Sequence, residues 1–498
     1  MSPFTLLITL LLVTVTYILI HVTAFRPKGR KLPPGPLAFP IIGHLHMLGN
    51  LPHRTLQSLA KKYGPIMSLR LGNVPTIIVS SPEAAELFLK THDTVFASRP
   101  KLLFNKYVTY GTKGLISSEY GSYWRNVRKL CTTQLLSASK IDLFAPIRRE
   151  GLVQLVNSVM VSAASGEVVD LSENVSRLME SVSFKMILGG NTFDAKGIIQ
   201  EVLNLAGAFN LADYVPFLGI LDLQGLTRRY KKISTKVDKM LEKIIKEHEQ
   251  VPKDHERQKD FVDVLLSLMN QPMNPHELTL QMIDKTNVKA IILDMIAGSF
   301  DTSATVIEWA LSELVKHPRV MKCLQHELDN VVGMNRMVEE EDLTKLNYLD
   351  MVVKETLRLH PIGPLLAPHE SMEDITLNGY FIQRKSRIIV NAWAIGRDPE
   401  VWSKNVEEFY PERFVDKNID LRGRDFQLIP FGSGRRGCPG LQLGLITVKI
   451  VVAQLVHCFN WELPHGMLPN ELDMKEKFGL TIPRVNHLLA KPSGRLVE

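Results

Sequence analysis

The feature that most constrains this 498-residue chain is the ten-residue loop from Phe431 to Gly440, which contains four glycines and one cysteine. Pro430 precedes the loop and Pro439 follows Cys438, so no regular strand or helix is expected to run through it. The apolar run after Pro439 predicts a helix to about Cys458, with Pro439 in its first turn. Free N–H groups and the helix dipole favour a thiolate at Cys438. The loop therefore predicts a thiolate that binds a metal ion.

The glycines of this loop allow two interpretations. The spacing Gly432-x-Gly434-x-x-Gly437 is formally that of a dinucleotide-binding loop. The surrounding sequence does not support that interpretation. A dinucleotide-binding loop follows a β-strand and begins a parallel βαβ unit, and too few residues remain after this loop to form one. The second interpretation uses every position. Glycines let the backbone lie flat against a planar macrocycle, the Cys438 thiolate binds its iron, and Arg436 pairs with one of its carboxylates.

Helical patterns dominate the rest of the chain, and 45% hydrophobic with 22% charged residues excludes a mainly disordered protein. A long helix is predicted over Lys285–Lys316, ended by Pro318, and another from about Leu346 to His360, ended by Pro361. The Ile- and Val-rich stretch Tyr380–Ile395 predicts short strands. One amphipathic helix is marked by apolar residues at helical spacing, namely Ile233, Val237, Met240, Leu241, Ile244 and Ile245. The sequence predicts a mainly α-helical body with a small β-rich portion.

The N-terminus carries a membrane signal. Residues 3–25 contain no Asp, Glu, Lys or Arg and span about 30 Å as a helix, the thickness of a bilayer core. A basic cluster (Arg26, Lys28, Arg30 and Lys31) follows, then the stiff segment Leu32–Pro36. We expect a transmembrane anchor over 1–25, a hinge over 26–36 and a catalytic domain over 37–498 on the cytosolic side. A cleavable signal peptide is the alternative. The net charge of +7 is spread without the aromatic interleaving of a nucleic-acid binder, so no nucleic-acid partner is expected.

The pattern Phe431-x-x-Gly434-x-Arg436-x-Cys438-x-Gly440 resembles the haem-binding loop of the cytochrome P450 monooxygenases. The resemblance implies the cytochrome P450 fold and a haem b held by these five residues, with Cys438 as the axial thiolate ligand of the iron. This loop, the proline segment Pro33–Pro36 and the Pro-Glu-Arg-Phe segment Pro411–Phe414 together resemble those of plant microsomal (A-type) members that act in specialised metabolism.

A second motif is Glu355-x-x-Arg358 in the predicted helix before Pro361. Spacing alone favours an ordinary surface ion pair worth a few tenths of a kcal/mol. The resemblance implies instead a buried structural network of Glu355 and Arg358 with Arg413 of the segment Pro411–Phe414.

A third motif lies midway along the long predicted helix, at Asp301 and Thr302. From the residues alone, such a pair is an ordinary polar patch on a helix. The threonine hydroxyl would then donate a hydrogen bond to the backbone carbonyl one turn earlier. The resemblance implies that Asp301 and Thr302 are catalytic and relay protons to dioxygen on the distal side of the haem, beside a locally distorted helix. Ser299 stands where a second glycine is common in the family.

Further haem contacts are implied at Trp124 and Arg128, which lie one helical turn apart and would meet the propionates. From spacing alone the pair is a half-buried Trp beside a surface Arg. His369 occupies a position where the family often has an arginine for the same purpose. The substrate-contact segments of the family correspond to mostly apolar positions, namely Phe104, Phe209, Phe300, Leu365, Leu366, Leu480 and Thr481.

These resemblances imply a haem-dependent monooxygenase that inserts one oxygen atom of O2 into a lipophilic small molecule, such as a terpenoid or a phenolic. The sequence has no convincing flavin or nicotinamide motif, so we expect electrons from an NADPH-dependent flavoprotein reductase that docks near Arg125 and Lys129. We expect a single-pass protein of the endoplasmic reticulum membrane, in contact with lipid. The alternatives are a haem-thiolate isomerase or dehydratase that acts on peroxides without reductase, and a non-enzymatic haem-binding sensor or membrane scaffold.

Overall fold

The centre of the core is one 32-residue helix, Lys285–Lys316, with the bounds that the sequence predicts. Asp284 caps it by accepting a hydrogen bond from the Asn287 N–H, and Pro318 opens the next helix. The computed structural model describes residues 29–190, 195–250, 258–273, 281–403 and 405–496, together with Pro3, Thr5 and Thr9.

Seventeen α-helices lie in the described part of the chain. In chain order, α1 to α17 are Pro52–Tyr63, Pro82–Glu86, Asp93–Phe96, Leu103–Val108, Ser122–Leu130, Ala138–Leu143, Ala145–Ser165, Leu171–Leu188, Ala195–Ala206, Leu226–Gln250, Phe261–Ser267, Lys285–Lys316, Pro318–Val331, Asn347–Leu359, Ala392–Ile395, Pro399–Trp402 and Leu441–Cys458. The six apolar residues of the predicted amphipathic helix are all buried in α10. The predicted helix before Pro361 is confirmed as α14.

Nine short strands form three small sheets in the described part. They are β1 Ile66–Leu71, β2 Val74–Val79, β3 Val169–Asp170, β4 His369–Glu370, β5 Ile375–Leu377, β6 Tyr380–Ile382, β7 Arg387–Val390, β8 Phe459–Glu462 and β9 Leu489–Gly494. The largest sheet has the order β1-β2-β7-β4, with β2 and β7 parallel and the other two pairs antiparallel. The fold is thus mainly helical with a small β portion, as predicted.

One strand prediction is wrong at its end. The predicted run Tyr380–Ile395 contains β6 and β7 but finishes in the helical turn α15. Asn391 ends the strand pairing because its side-chain oxygen accepts a hydrogen bond from the Ala394 N–H at 3.0 Å. A helix cap therefore overrides the strand preference of the residues that follow.

The predicted anchor over 1–25 lies almost wholly outside the described residues. The described part of the predicted hinge is not a free spacer, since the Pro34 carbonyl accepts from the Ser68 N–H of β1 at 2.8 Å. A Cβ at Gly35 would lie 2.0 Å from the Ser68 carbonyl oxygen, so only glycine permits this approach. Two helices, α12 and α17, are long and apolar enough to cross a membrane, but both are mostly buried and belong to the core.

Candidate active site

An opening in the core lies beside the middle of α12. The helix is buried over Ile291–Ile296 and again over Thr305–Val315. Between them Gly298 is exposed and both Asp301 and Thr302 are half-buried. A Cβ at Gly298 would meet no atom within 4 Å. A core helix that opens only at its centre lines a cleft, which we call the α12 cleft (Gly298, Asp301 and Thr302).

The cysteine loop reaches the same part of α12. The Cys438 N–H donates to the Phe431 carbonyl at 2.9 Å, and one 3-10 turn, Gly434–Arg436, lies between these residues. A Cβ at Gly444, in the first turns of α17, would lie 4.0 Å from the Ser303 hydroxyl of α12. The start of α17 therefore packs directly beside the α12 cleft.

The expected position of Pro439 needs correction. Gly440 is the N-cap of α17, the helix begins at Leu441, and Pro439 lies outside its first turn. Burial raises the pKa of the Cys438 thiol above its ordinary value, although the Gly440 N–H bonds to the sulfur and Arg128 favours the thiolate. The side chain is nevertheless accessible to solvent. The loop therefore offers an accessible sulfur whose deprotonation a metal ion would complete.

The loop glycines serve packing as well as an open face. Gly434 has a φ of +66°, and a Cβ there would lie 2.2 Å from the Leu89 carbonyl oxygen and 3.0 Å from Asp93. Gly434 is therefore needed for the contact between the loop and the segment Leu87–Phe96, rather than for a face turned to a macrocycle. At Gly440 a Cβ would meet nothing within 4 Å, which is the open surface that the sequence predicts.

Asp301 and Thr302 both lie in the α12 cleft, in a helix that is continuous from end to end. The Thr302 hydroxyl donates to the Gly298 carbonyl at 2.9 Å, the back-bond expected from the residues alone. The helical hydrogen bonding of α12 is unbroken where the resemblance implies a distortion, and a back-bond of this kind often bends a helix locally. Asp301 Oδ2 accepts from the Thr481 hydroxyl at 2.6 Å, a partner from a segment 180 positions later in the chain.

Arg436 fastens the cysteine loop to two other segments. Its Nε donates to the Ala97 carbonyl at 2.6 Å, and its two terminal nitrogens donate to the Leu115 carbonyl at 3.4 Å and the Ser118 carbonyl at 2.5 Å. Three of its five N–H groups are used, so two remain for a carboxylate. Its guanidinium lies 4.1 Å from the ring centroid of Trp124.

The predicted propionate bond of Trp124 is not supported by this arrangement. Its single N–H donates to the Leu115 carbonyl at 3.0 Å, so no donor remains for a propionate. Arg128 lies 6.0 Å from the same ring, is half-buried, and has no hydrogen-bond partner in the part of the chain that the structure describes. Burial lowers the pKa of Arg128, and Cys438 opposes this effect. Trp124 therefore lies between two cations, of which Arg436 has two free N–H groups and Arg128 has all five.

Sequence analysis missed two charged groups here, the half-buried Arg99 and the buried Asp294. Arg99 donates to the carbonyls of Ala367 at 2.5 Å and Pro368 at 2.8 Å, while its buried Nε has no partner among the described residues. Asp294 of α12 accepts from the N–H groups of Leu115 and Ile116 at 2.5 and 3.0 Å, and burial raises its pKa to about 6. The sequence offered one signal for each residue. Arg99 directly precedes Pro100, and Asp294 is a charged residue within an otherwise apolar run of Ile and Leu.

His369 completes this side of the site as a neutral group. Its Nδ1 lies 2.8 Å from the Phe96 carbonyl and therefore carries the proton. Burial lowers the pKa of His369 well below its ordinary value, and the charges of Arg99 and Arg436 lower it further. The imidazole is therefore uncharged at neutral pH, unlike the arginine it replaces in the family pattern.

Glu355, Arg358 and Arg413 form one buried network. Arg358 makes two bonds to the Glu355 carboxylate, at 2.7 and 2.8 Å, and Arg413 makes a third at 2.8 Å. Their remaining donors bond to the backbone carbonyls of Gly396, Trp402, Asn405, Val406 and Glu408. The Glu355 and Arg358 side chains are 0% exposed, so the surface ion pair expected from spacing alone is wrong.

The seven expected substrate contacts do not form one group. Phe104 packs edge-on against Tyr230, and Phe300 against Phe184, both in the main core. Phe209 and Leu480 are exposed, while Leu365 and Leu366 pack against the two smaller clusters at the sheets. The Thr481 hydroxyl donates its hydrogen bond to Asp301, so only the lone pairs of its oxygen remain for a ligand.

The residues around the α12 cleft fit a haem. Cys438 offers a soft sulfur for iron, and Gly298 and Gly440 leave open space. Three arginines, Arg99, Arg128 and Arg436, lie close enough that the charges of the first two lower the pKa of the third, and we call them the arginine cluster. Burial and the charges of Arg99 and Arg128 lower the pKa of Arg436 to about 9. Such a cluster favours a ligand that carries two carboxylates, as haem does.

Comparison with known proteins agrees with this geometry. The family model for cytochrome P450 matches residues 33–489. The chain belongs to the cytochrome P450 family. It is 59% identical to cytochrome P450 CYP736A12 of Panax ginseng, over 94% of both chains. It is 41% identical to a germacrene A hydroxylase of Saussurea costus, over 96% of this chain and 97% of the relative. A zebrafish cytochrome P450 solved with progesterone has the same fold, with a TM-score of 0.76 at 24% identity, covering 89% of this chain and 99% of the other.

This cytochrome P450 is therefore an oxygenase enzyme with a thiolate-ligated haem. Haem bound through a cysteine thiolate supplies the electron-transfer and oxygen-transfer chemistry. In this chain Cys438 would hold the haem iron, and the arginine cluster would hold the haem carboxylates. Family membership favours the monooxygenase over the isomerase and sensor alternatives.

Proposed function

We propose that this cytochrome P450 inserts one oxygen atom into a lipophilic terpenoid or phenolic molecule. The observation that carries the proposal is the packing of α17, the helix that follows the Cys438 loop, against α12 at Ser303, next to Asp301 and Thr302. The sequence positions matched to substrate contacts are mostly apolar. One relative is named as a germacrene A hydroxylase, which supports a terpenoid.

The substrate class is tested by expressing the full chain with a plant NADPH-dependent reductase in microsomes. A panel of terpenes and phenolics is incubated under 18O2, and products are analysed by mass spectrometry. We expect one labelled oxygen atom in an NADPH-dependent product of at least one apolar compound. A product formed without NADPH and without label would identify the isomerase alternative instead.

We propose that Asp301 and Thr302 move protons within the cleft. The Thr302 hydroxyl donates its hydrogen bond to the Gly298 carbonyl, so the lone pairs of its oxygen accept a hydrogen bond from a neighbouring donor and orient that donor in the cleft. Asp301 is half-buried and has one oxygen engaged by Thr481, so its second oxygen is available to exchange a proton with water. Arg99, Arg128 and the two spare N–H groups of Arg436 would hold the haem propionates.

We propose that the protein is a single-pass protein of the endoplasmic reticulum, with residues 1–25 as anchor, 26–36 as hinge and 37–498 in the cytosol. An exposed apolar surface supports this orientation. Phe39, Ile220 and Leu221 are 55%, 88% and 64% exposed. They belong to segments that meet at the β1–β2 turn, where the Asn73 N–H donates to the Tyr214 carbonyl. A lipid surface would cover these groups, and alkaline extraction of microsomes tests the anchor.

We propose that a reductase docks near Arg125 and Lys129, which are exposed on α5. Reversing both charges to Glu should slow NADPH-driven haem reduction under carbon monoxide, followed by stopped flow, because an acidic partner would be repelled. Reduction by dithionite should stay unchanged. The matched control reverses Lys61 and Lys62, two exposed lysines of α1. An equal slowing in both double variants would contradict this docking site.

A further inference from the structure

We propose that Thr481 is a positioning residue for the proton-transfer carboxylate Asp301, rather than a substrate contact. The inference rests on the proposed proton role of Asp301. Its basis is the 2.6 Å hydrogen bond from the Thr481 hydroxyl to Asp301 Oδ2. Thr481 is 7% exposed, so this bond is largely shielded from water. In such surroundings one short hydrogen bond to a carboxylate has a large effect on its orientation.

The segment that carries Thr481 is held in place independently of Asp301. The Trp309 indole of α12 donates to the Ile482 carbonyl at 2.8 Å, two turns beyond Asp301. Arg484 donates to the Ser312 hydroxyl at 3.1 Å and to the Asp473 carbonyl at 2.6 Å. Thr481 therefore approaches Asp301 from a rigid support, and the bond orients the carboxylate rather than the reverse.

The bond gives the two carboxylate oxygens of Asp301 different roles. With Oδ2 occupied by Thr481, Oδ1 is the oxygen left for water in the α12 cleft. The Asp301 carbonyl is also occupied, because it accepts from the Thr305 hydroxyl at 2.8 Å. Removing the Thr481 hydroxyl frees the carboxylate to rotate about χ2, and protons then reach the cleft in more than one geometry.

The same segment contacts a position expected to meet substrate. Leu480 precedes Thr481 and is 48% exposed. A Cβ at Gly207, just beyond the end of α9, would lie 2.5 Å from the Leu480 backbone nitrogen, so α9 and this segment touch through glycine. Leu480 and Thr481 therefore lie on one packed segment between the end of α9 and Asp301.

The test is Thr481→Val, which removes the hydroxyl at nearly constant volume, with Thr481→Ser as the conservative rescue. The matched control is Thr447→Val, a buried threonine bonded to its own helix at the Leu443 carbonyl. Each full-length variant is mixed with reductase and NADPH without substrate. Hydrogen peroxide is measured per NADPH consumed, since two electrons from NADPH and two protons convert O2 to H2O2. The infrared stretching frequency of carbon monoxide on the ferrous haem is the second readout.

We expect the peroxide yield of Thr481→Val to change at least twofold and the carbon monoxide frequency to shift. Thr481→Ser and Thr447→Val should both behave as wild type. A wild-type yield and frequency in Thr481→Val, alongside altered values in Asp301→Asn, would overturn the role of Thr481. Wild-type behaviour of Asp301→Asn itself would instead refute the proton role of Asp301. If Thr481→Val binds no haem, Thr481→Ala carries the same test.

Discussion

The Glu355 network is buried and the arginine cluster is partly buried. Both are built on arginine, yet they differ in how their charges are compensated. In the network, Arg358 and Arg413 share the Glu355 carboxylate and spend their other donors on carbonyls. In the cluster, the buried Nε of Arg99 has no partner among the described residues. The charges of Arg99 and Arg128 also lower the pKa of Arg436. The charges of the Glu355 network are compensated by groups within the protein. The arginine cluster requires an anion that the described residues do not supply.

This difference separates residues that hold the fold from residues that hold a ligand. Removing one member of a compensated buried group leaves an unpaired charge and costs several kcal/mol. Removing one member of a like-charged cluster relieves repulsion in the protein and weakens only the binding of the anion. Stability and haem retention should therefore respond in opposite ways in the two regions.

The largest effect is expected for Glu355→Ala. It leaves two buried arginines without their carboxylate and also frees the Tyr410 N–H, which donates to Glu355 at 2.8 Å. We expect a loss of about 3–5 kcal/mol in the free energy of unfolding. Urea denaturation and the yield of folded, haem-containing protein measure it. Glu373→Ala, at an exposed position, is the control. Equal stability of the two variants would show that the network is not needed for the fold.

A smaller effect of opposite sign is expected for Asp294→Asn, which acts on the loop that holds Arg436. Both backbone N–H groups bond to one oxygen, Oδ2, so an asparagine oxygen can accept them equally. Its titratable neighbours stay neutral at physiological pH, because burial raises the pKa of Tyr123 to about 12 and that of Cys131 further still. The substitution therefore removes a buried charge and keeps the geometry.

The pH dependence of this variant has a definite sign. The folded pKa of about 6 lies above the value of about 3.9 in an unfolded chain. The stabilising contribution of Asp294 is therefore present below about pH 4 and lost as the pH rises through about 6. At pH 7 we expect Asp294→Asn to exceed wild type by roughly 1–3 kcal/mol, with the two converging near pH 4. Exposed Asp416→Asn is the control. Parallel curves for wild type and Asp294→Asn would contradict a buried charge.

The helices were predictable because their signals are local. Proline stops and apolar spacing predict α12 and α14 within about two residues at each end, and Pro439 predicts the start of α17 within two. The turn α15 was missed because one cap, Asn391, decides it. A single side-chain bond of this kind leaves little trace in a periodicity pattern.

The site was predictable only where its residues lie close together in the sequence, within one motif. The Cys438 loop is such a motif. The partners of Arg99 and Asp301 are not, because Arg99 bonds to Ala367, 268 positions later, and Asp301 to Thr481, 180 positions later. Contacts at that separation depend on how α12 and the β1-β2-β7-β4 sheet pack. The spacing of residues along the chain does not predict such long-range contacts.

Arg128→Met tests the uncompensated region directly. The side chain has no hydrogen-bond partner among the described residues, so its loss costs the protein no internal bond. We expect haem to dissociate about tenfold faster, equivalent to about 1.4 kcal/mol, while the stability of the haem-free protein is unchanged or higher. Transfer of haem to an excess of apomyoglobin measures the rate. Arg125→Met, exposed on the same helix, should leave it unchanged.

The smallest effect is expected for His369→Gln, although a family arginine would stand at this position. The Nδ1 proton is used by the Phe96 carbonyl, and the lowered pKa leaves Nε2 without a proton at pH 7. A neutral imidazole in this tautomer cannot donate to a propionate. We therefore expect a change of less than about twofold in haem dissociation, since a twofold change is only about 0.4 kcal/mol. A loss as large as that of Arg128→Met would mean that bound haem protonates His369 and makes it a fourth cation of the cluster.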